Sequence, residues 1–359
     1  MAMNSLALIT SLLVTSLVPM AQAASWDAGA AAGYLDNRET WWQNWPRSQR
    51  DHETTCVSCH TVLPYALGRP ALRARLNDDK QLSPERTMLA YIEKRVSLWN
   101  ETEPYYKEKS GPTKPAESRG TEAVLNAFIL AIYDARSGHL REVTRTAFEH
   151  AWSSQLESGT WDWLNFHYAP WEADTSQYWG TTLMAMAVAM APDGYRDTPQ
   201  IQSGIEKMRG WLKSGYASQT LFNRAFLAWA SARLPGLLSP AEQKAVSQEI
   251  SSLQQEDGGW SLSALGSWKR VDNTVLETRS DGYATAIAVL ALNAAGARTG
   301  FTALERGRAW LSRNQDPQDG SWPAWSLNKN RDPQSDIGRF MRDAATGYAA
   351  LALESISGE

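Results

Sequence analysis

Three stretches of the chain carry one pattern: a glutamine, three or four residues, a glycine, one residue, then a tryptophan. They are Gln155, Gly159, Trp161; Gln254, Gly258, Trp260; and Gln315, Gly320, Trp322. Each follows a segment of helical period and precedes, across a loop, an alanine-rich apolar run. Two of those runs, DGYATAIAVLALNAAG from Asp281 and DAATGYAALALES from Asp343, are closely similar strings. A repeated unit of this kind cannot bury its own apolar face, so it must stack against further copies of itself.

Taking helix, loop and small-residue helix as the unit, six can be placed. The first runs from Trp26 to Leu72. The next two pair Pro84 to Trp99 with Thr121 to Tyr133, and Leu140 to Gln155 with Ser176 to Met190. The fourth and fifth pair Pro199 to Lys213 with Gln219 to Arg233, and Pro240 to Gln254 with Asp281 to Ala295. The sixth pairs Thr302 to Asn314 with Asp343 to Ile356. Ser83-Pro84 and Ser239-Pro240 read as an N-cap with a first-turn proline, and Gly138, Gly236 and Gly296 as helix ends. Second helices such as ATAIAVLAL are apolar on nearly every face, whereas first helices such as EKMRGWLKS carry charge on one side. The first kind is buried all round and the second borders solvent. The expected fold is all-α: a closed ring of six helical hairpins, an α/α toroid or α6/α6 barrel, formed by residues 24–359 as one domain.

The Gln-x-x-x-Gly-x-Trp strings, with Arg306-Gly307 and Trp310-Leu311 ahead of the last one, resemble the repeats of squalene-hopene cyclases and of the wider prenyltransferase and terpene cyclase toroids. The resemblance spans residues 140–356 and reaches the first two units by extension. It implies the toroid fold. It does not bring the activity, because triterpene cyclases protonate with an Asp-x-Asp-Asp segment and Asn77-Asp78-Asp79 does not match it. Prenyltransferases of this fold use a zinc site with a cysteine ligand, and no cysteine is spare here. Fold does not carry function in such superfolds.

The chain's two cysteines stand in Cys56-Val57-Ser58-Cys59-His60. In C-x-x-C-H the thiols add to haem vinyl groups and the adjacent histidine ligates iron. One covalent haem c is therefore expected, held by Cys56 and Cys59 with His60 on the metal, on the helix that opens the first inner position. A thioredoxin-like pair would want a βαβ context, and a zinc site further Cys or His partners; the surroundings offer neither.

The N-terminus reads as a signal peptide over residues 1–23, with an apolar stretch from Leu6 to Val18 and cleavage after Ala23 in Ala21-Gln22-Ala23. A periplasmic or secreted location agrees with haem c attachment. The apolar stretch is too short to span a bilayer, and no other segment qualifies, so no stable membrane span is expected in the mature chain. A net charge of -4 with scattered Lys and Arg argues against a nucleic-acid partner.

In a ring of hairpins all outer-to-inner loops lie at one end, which places the haem at the mouth of the central cavity. For the second iron position His167 is the first candidate, among Tyr168, Trp171 and Trp179, against the competing reading of a surface histidine; Met341 is the second. Arg119, Arg279 and Arg342 stand at or just before inner helices and suit haem propionates, or pair with neighbouring carboxylates instead. The leading function is electron transfer with a redox partner protein. The alternatives are a haem-dependent peroxidase- or oxygenase-like enzyme acting on a small hydrophobic ligand, and a gas sensor or ligand-binding module. Isoprenoid cyclisation ranks last.

Overall fold

The computed structural model describes residues 26–78, 80–296 and 302–355, so the signal-peptide segment 1–23 lies outside the described residues. Twelve α-helices occur among the described residues and alternate between an outer and an inner layer. The outer helices are α1 (Ala28–Asn44), α3 (Ser83–Ser97), α5 (Glu142–Ser153), α7 (Gln202–Gly215), α9 (Pro240–Ser252) and α11 (Thr302–Arg313). The inner helices are α2 (Val62–Leu76), α4 (Lys114–Ser137), α6 (Ser176–Met190), α8 (Leu221–Ser231), α10 (Gly282–Ala294) and α12 (Phe340–Glu354). Inner helices pack in chain order, and α12 returns to α2, which closes the ring. The chain is an α/α toroid.

Every residue of α10 from Gly282 to Leu292 is buried, as a helix with neighbours on all sides requires. By contrast α11 buries Ala303, Leu304, Gly307, Trp310 and Leu311, a single stripe. Asp281 caps α10 by accepting from the Ala284 amide at 2.8 Å, and Ser239 caps α9 in a full capping box with Glu242. The strand content among the described residues is one short hairpin, β1 (Gln49–Arg50) with β2 (Thr54–Thr55), in the first loop.

The repeated Gln-Gly-Trp pattern now has a physical reason. Gln155 Nε2 donates to its own Gly159 carbonyl at 3.0 Å and to the Gly204 carbonyl of the next outer helix at 2.9 Å. Gln254 does the same to Gly258 and Ala303, both at 2.8 Å. Gln315 donates to Gly320 at 2.9 Å and to Asp27 at 2.8 Å, and its carbonyl accepts from the Asp27 amide at 2.6 Å. The last hairpin is thereby stapled to the first. Trp161, Trp260 and Trp322 are fully buried, and each indole donates to the last carbonyls of its own outer helix, at Ala151, Ile250 and Leu311.

The motif glycines let the backbones meet. Gly320 has φ +79°, and a Cβ there would lie 2.4 Å from the Ala30 carbonyl carbon. Gly320→Ala is therefore expected to cost about 3 kcal/mol, from left-handed strain and overpacking combined, read as a lower urea midpoint. The fourth hairpin has a short connection between α7 and α8 and no copy of the pattern.

Candidate haem site at the loop end of the ring

Cys56, Cys59 and His60 all line a single cavity of about 670 Å3 at the end of the ring where the outer-to-inner loops gather. The motif sits in the turn ahead of α2, which starts at Val62, and does not itself open the helix as its sequence suggested. Ser58 Oγ accepts from the amides of Thr61 and Val62 at 3.2 and 3.1 Å, so one of the two residues between the cysteines satisfies amides at the start of the helix. Trp42 Nε1 donates to the Cys56 carbonyl at 2.9 Å, and the Val57 amide to Tyr105 Oη at 3.2 Å. The segment is pinned from both sides.

The hairpin before the motif is anchored by Arg95. Its guanidinium donates to Asp51 at 3.0 Å, to Thr54 at 3.1 Å and to the Glu103 carbonyl at 2.8 Å. It also pairs with the buried Glu122 and lies 4.7 Å from the Tyr105 ring centroid. Arg95 thus joins α3, α4, the β-hairpin and the wall of the cavity.

His60 is oriented by a buried relay. Thr61 Oγ1 lies 2.9 Å from His60 Nδ1 and donates its proton to Asp343 Oδ2 at 2.8 Å. With its hydrogen committed, Thr61 accepts, so Nδ1 carries the proton and Nε2 keeps a free lone pair. Asp343 also accepts from Tyr34 Oη and Arg38 Nε, each at 2.8 Å. Desolvation, with help from Arg38 and Arg331, pushes the His60 pKa down to about 3, so the imidazole is neutral. Burial likewise raises both thiols and keeps them protonated. Phe340 stacks on His60 with centroids 3.7 Å apart, and Trp42 meets its edge at 5.1 Å.

These residues fit a covalently held haem. Two neutral thiols and a neutral, oriented imidazole face one space, its apolar wall includes Trp42, Trp171 and Phe340, and cationic side chains line it at Arg47, Arg50, Lys109 and Arg331. Among the described residues no group of three His, Cys, Asp or Glu gathers at metal-binding spacing, so the cysteine pair finds no partners for a zinc site.

Of the other residues singled out from the sequence, the structure brings Met341 to the cavity: it lines the wall and is buried. His167 is absent from that wall; its side chain is 77% exposed and lies 3.1 Å from Asp174. The three arginines are also elsewhere. Arg119 packs 4.6 Å from the Trp99 ring and bonds Glu122 and Thr102. Arg279 is exposed over Trp325 at 4.0 Å. Arg342 pairs with Asp316 at 2.8 Å and Asp319 at 3.7 Å. Asp78, from the polar connection after α2, pairs with Arg69 at 3.1 Å. Trp171 walls the cavity, while Trp163 and Trp179 meet edge to face at 5.7 Å in the core.

With this geometry in hand, comparison with known proteins bears on the scaffold. The squalene-hopene cyclase C-terminal domain matches residues 228–335. That stretch is similar to the toroid repeat of squalene cyclases. Among solved structures, a glycosidase variant in complex with glucose superposes with TM-score 0.50 at 12% identity, covering 92% of this chain and 98% of that one. Another variant of a glycosidase gives 0.49 at 10% identity with the same coverage. At these identities the likeness concerns the fold alone. No curated protein matches. No helix among the described residues is long and apolar enough to cross a membrane.

Two desolvated carboxyls went unread in the sequence, one on the cavity wall and one in the outer helix α1. Glu172 lines the cavity, and desolvation, partly offset by Lys114, pushes its carboxyl up to about 7. Glu39, in α1, is buried with one oxygen accepting from Gln43 at 2.9 Å and the other without a partner. Burial pushes it up to about 8. The native state then holds a proton that the unfolded chain releases near pH 4.5, so stability falls as pH rises from about 4.5 to 8. Glu39→Gln removes that loss. Its stability relative to the parent is expected to grow by about 1.4 kcal/mol per pH unit across this window, checked by urea unfolding at pH 5, 7 and 9.

Proposed function

We propose that this toroid is an exported monohaem c-type cytochrome that transfers electrons to or from a redox partner. The observation that carries the reading is the convergence of Cys56, Cys59 and His60 on one aromatic-walled cavity with a pre-oriented Nε2. When bound, haem supplies a one-electron carrier whose potential follows its axial ligands and surroundings. The thiols of Cys56 and Cys59 would form the two thioethers. His60 would take one axial position, oriented through Thr61 and Asp343, an arrangement that makes a ligating imidazole more basic. Met341 would be the second side chain to hold the iron, since it is buried and shares the cavity wall. Held by a His and Met pair, the iron would have a raised potential and little affinity for small molecules, as suits electron transfer. Arg47, Arg50, Lys109 and Arg331 would meet the propionates. The short apolar N-terminal run and Ala21-Gln22-Ala23 support export, which haem c attachment requires.

A second reading, a haem-dependent oxidoreductase acting on a small hydrophobic ligand, is favoured by Glu172. A carboxyl near pH 7 on the cavity wall is suited to moving a proton to or from a bound molecule.

The two part in one experiment. Protein produced with a haem-attachment system should show a pyridine haemochrome spectrum of haem c, and Cys56→Ala/Cys59→Ala should lose it. The ferrous parent should refuse carbon monoxide and Met341→Ala should bind it. A spectrum without haem c ends both readings. A parent that binds carbon monoxide, with Met341→Ala unchanged, ends electron transfer and leaves the enzyme.

A further inference from the structure

The far end of the ring, where the inner helices finish, holds a second cavity that the redox reading does not use. It measures about 550 Å3 and is walled by the C-terminal halves of α2, α4, α6 and α12 together with the end of α8. Its floor is apolar: Leu67, Phe128, Ile132, Met186 and Trp229 all line it and are buried. Above that floor Tyr348 packs on Trp229 at 6.3 Å and on Tyr283 at 5.2 Å, and Tyr283 packs on Trp171 at 5.6 Å. These rings link Trp229, which lines this cavity, to Trp171, which lines the other.

The wall of this apolar well carries Arg75, Arg136, Arg233 and one acid, Glu354. Arg75 lies 3.4 Å from Glu354 and is engaged. Neither Arg136 nor Arg233 has a carboxylate within 4.0 Å among the described residues; Arg233 lies 5.8 Å from the Trp229 ring centroid. Desolvation lowers the pKa of both. Two guanidinium groups without a carboxylate partner, at the solvent-facing rim of an apolar pocket, are the complement of a molecule with an anionic head and an apolar tail.

We infer that this cavity binds a single-chain amphiphile with an anionic head group, a fatty carboxylate or an alkyl phosphate, its chain on the apolar floor and its head at Arg136 and Arg233. The inference stands independently of the haem. A different role for these arginines is to offset the negative ends of the inner helices, since Arg136 lies in the last turn of α4. That role predicts a stability effect and no ligand.

The test is calorimetric titration of the full-length protein with decanoate, decyl phosphate and uncharged decanol, each kept below its aggregation limit. At least one anion should bind, and decanol at least tenfold more weakly. In Arg136→Gln/Arg233→Gln, both exposed positions, the affinity for the anion should drop at least tenfold while decanol is unchanged. Preference for carboxylate or for phosphate supports the site and assigns its head group. No binding of either anion overturns the inference, as does decanol binding as tightly. So does a double variant with lowered Tm and unaltered anion affinity.

Discussion

Arg95→Met should lower the free energy of unfolding by about 3–5 kcal/mol, because it leaves Glu122 buried and charged with its main partner gone. Arg95 is 1% exposed and Glu122 is fully buried. Arg119, the remaining cation, lies 3.3 Å from Glu122 and is itself partly solvated, so it offsets the loss only in part. The penalty is one of an orphaned charge, which a second substitution exposes. Arg95→Met/Glu122→Gln should recover a substantial share of the loss, read as a urea midpoint above that of the single variant. If the double variant is no more stable than Arg95→Met, the cost lies in the β-hairpin contacts of Asp51 and Thr54 instead.

Asp343→Ala should be comparably costly, again about 3–5 kcal/mol for breaking a buried charged network. Three donors lose their common acceptor, namely Tyr34, Arg38 and Thr61. The one carboxylate left to Arg38 is Asp336 at 3.1 Å, which is 54% exposed, beside the Asp336 carbonyl at 2.8 Å and the Trp41 ring at 4.4 Å. Thr61→Val is the milder and more diagnostic change, at about 1–2 kcal/mol for one buried hydrogen bond. Nitrogen-15 shifts of His60 in haem-free protein should show a single Nδ1-protonated tautomer in the parent and a mixture in Thr61→Val. A single tautomer in both would mean that the relay does not set the imidazole.

The repeat architecture was readable because it is written in small-scale periodicity. ATAIAVLAL can only be a helix with neighbours all round, and the three tryptophan strings recur at matching places in their hairpins. The C-x-x-C-H motif was equally plain, since it is contiguous. The loops behaved differently. Arg119, Arg279 and Arg342 stand near inner helix starts in sequence, yet each turns to a partner of its own, at Glu122, Trp325 and Asp316. The cations that do reach the cavity, Arg47, Arg50, Lys109 and Arg331, come from connections with no periodic signal. His167 adopts a left-handed backbone at φ +59° beside Asp174, which its sequence did not announce. The link from Thr61 to Asp343 crosses 282 positions. No local pattern encodes such a pair; ring closure makes it.

That closure also sets an order of events. Phe340, which covers His60, and Asp343, which completes its relay, belong to the last hairpin, whereas the cysteines belong to the first. A chain emerging from its N-terminus presents Cys56 and Cys59 before the hairpin that shuts them in exists. In the finished ring both thiols are buried and protonated. An enzyme acting on them would find them most accessible while the ring is still an open horseshoe, before Gln315 docks on Asp27.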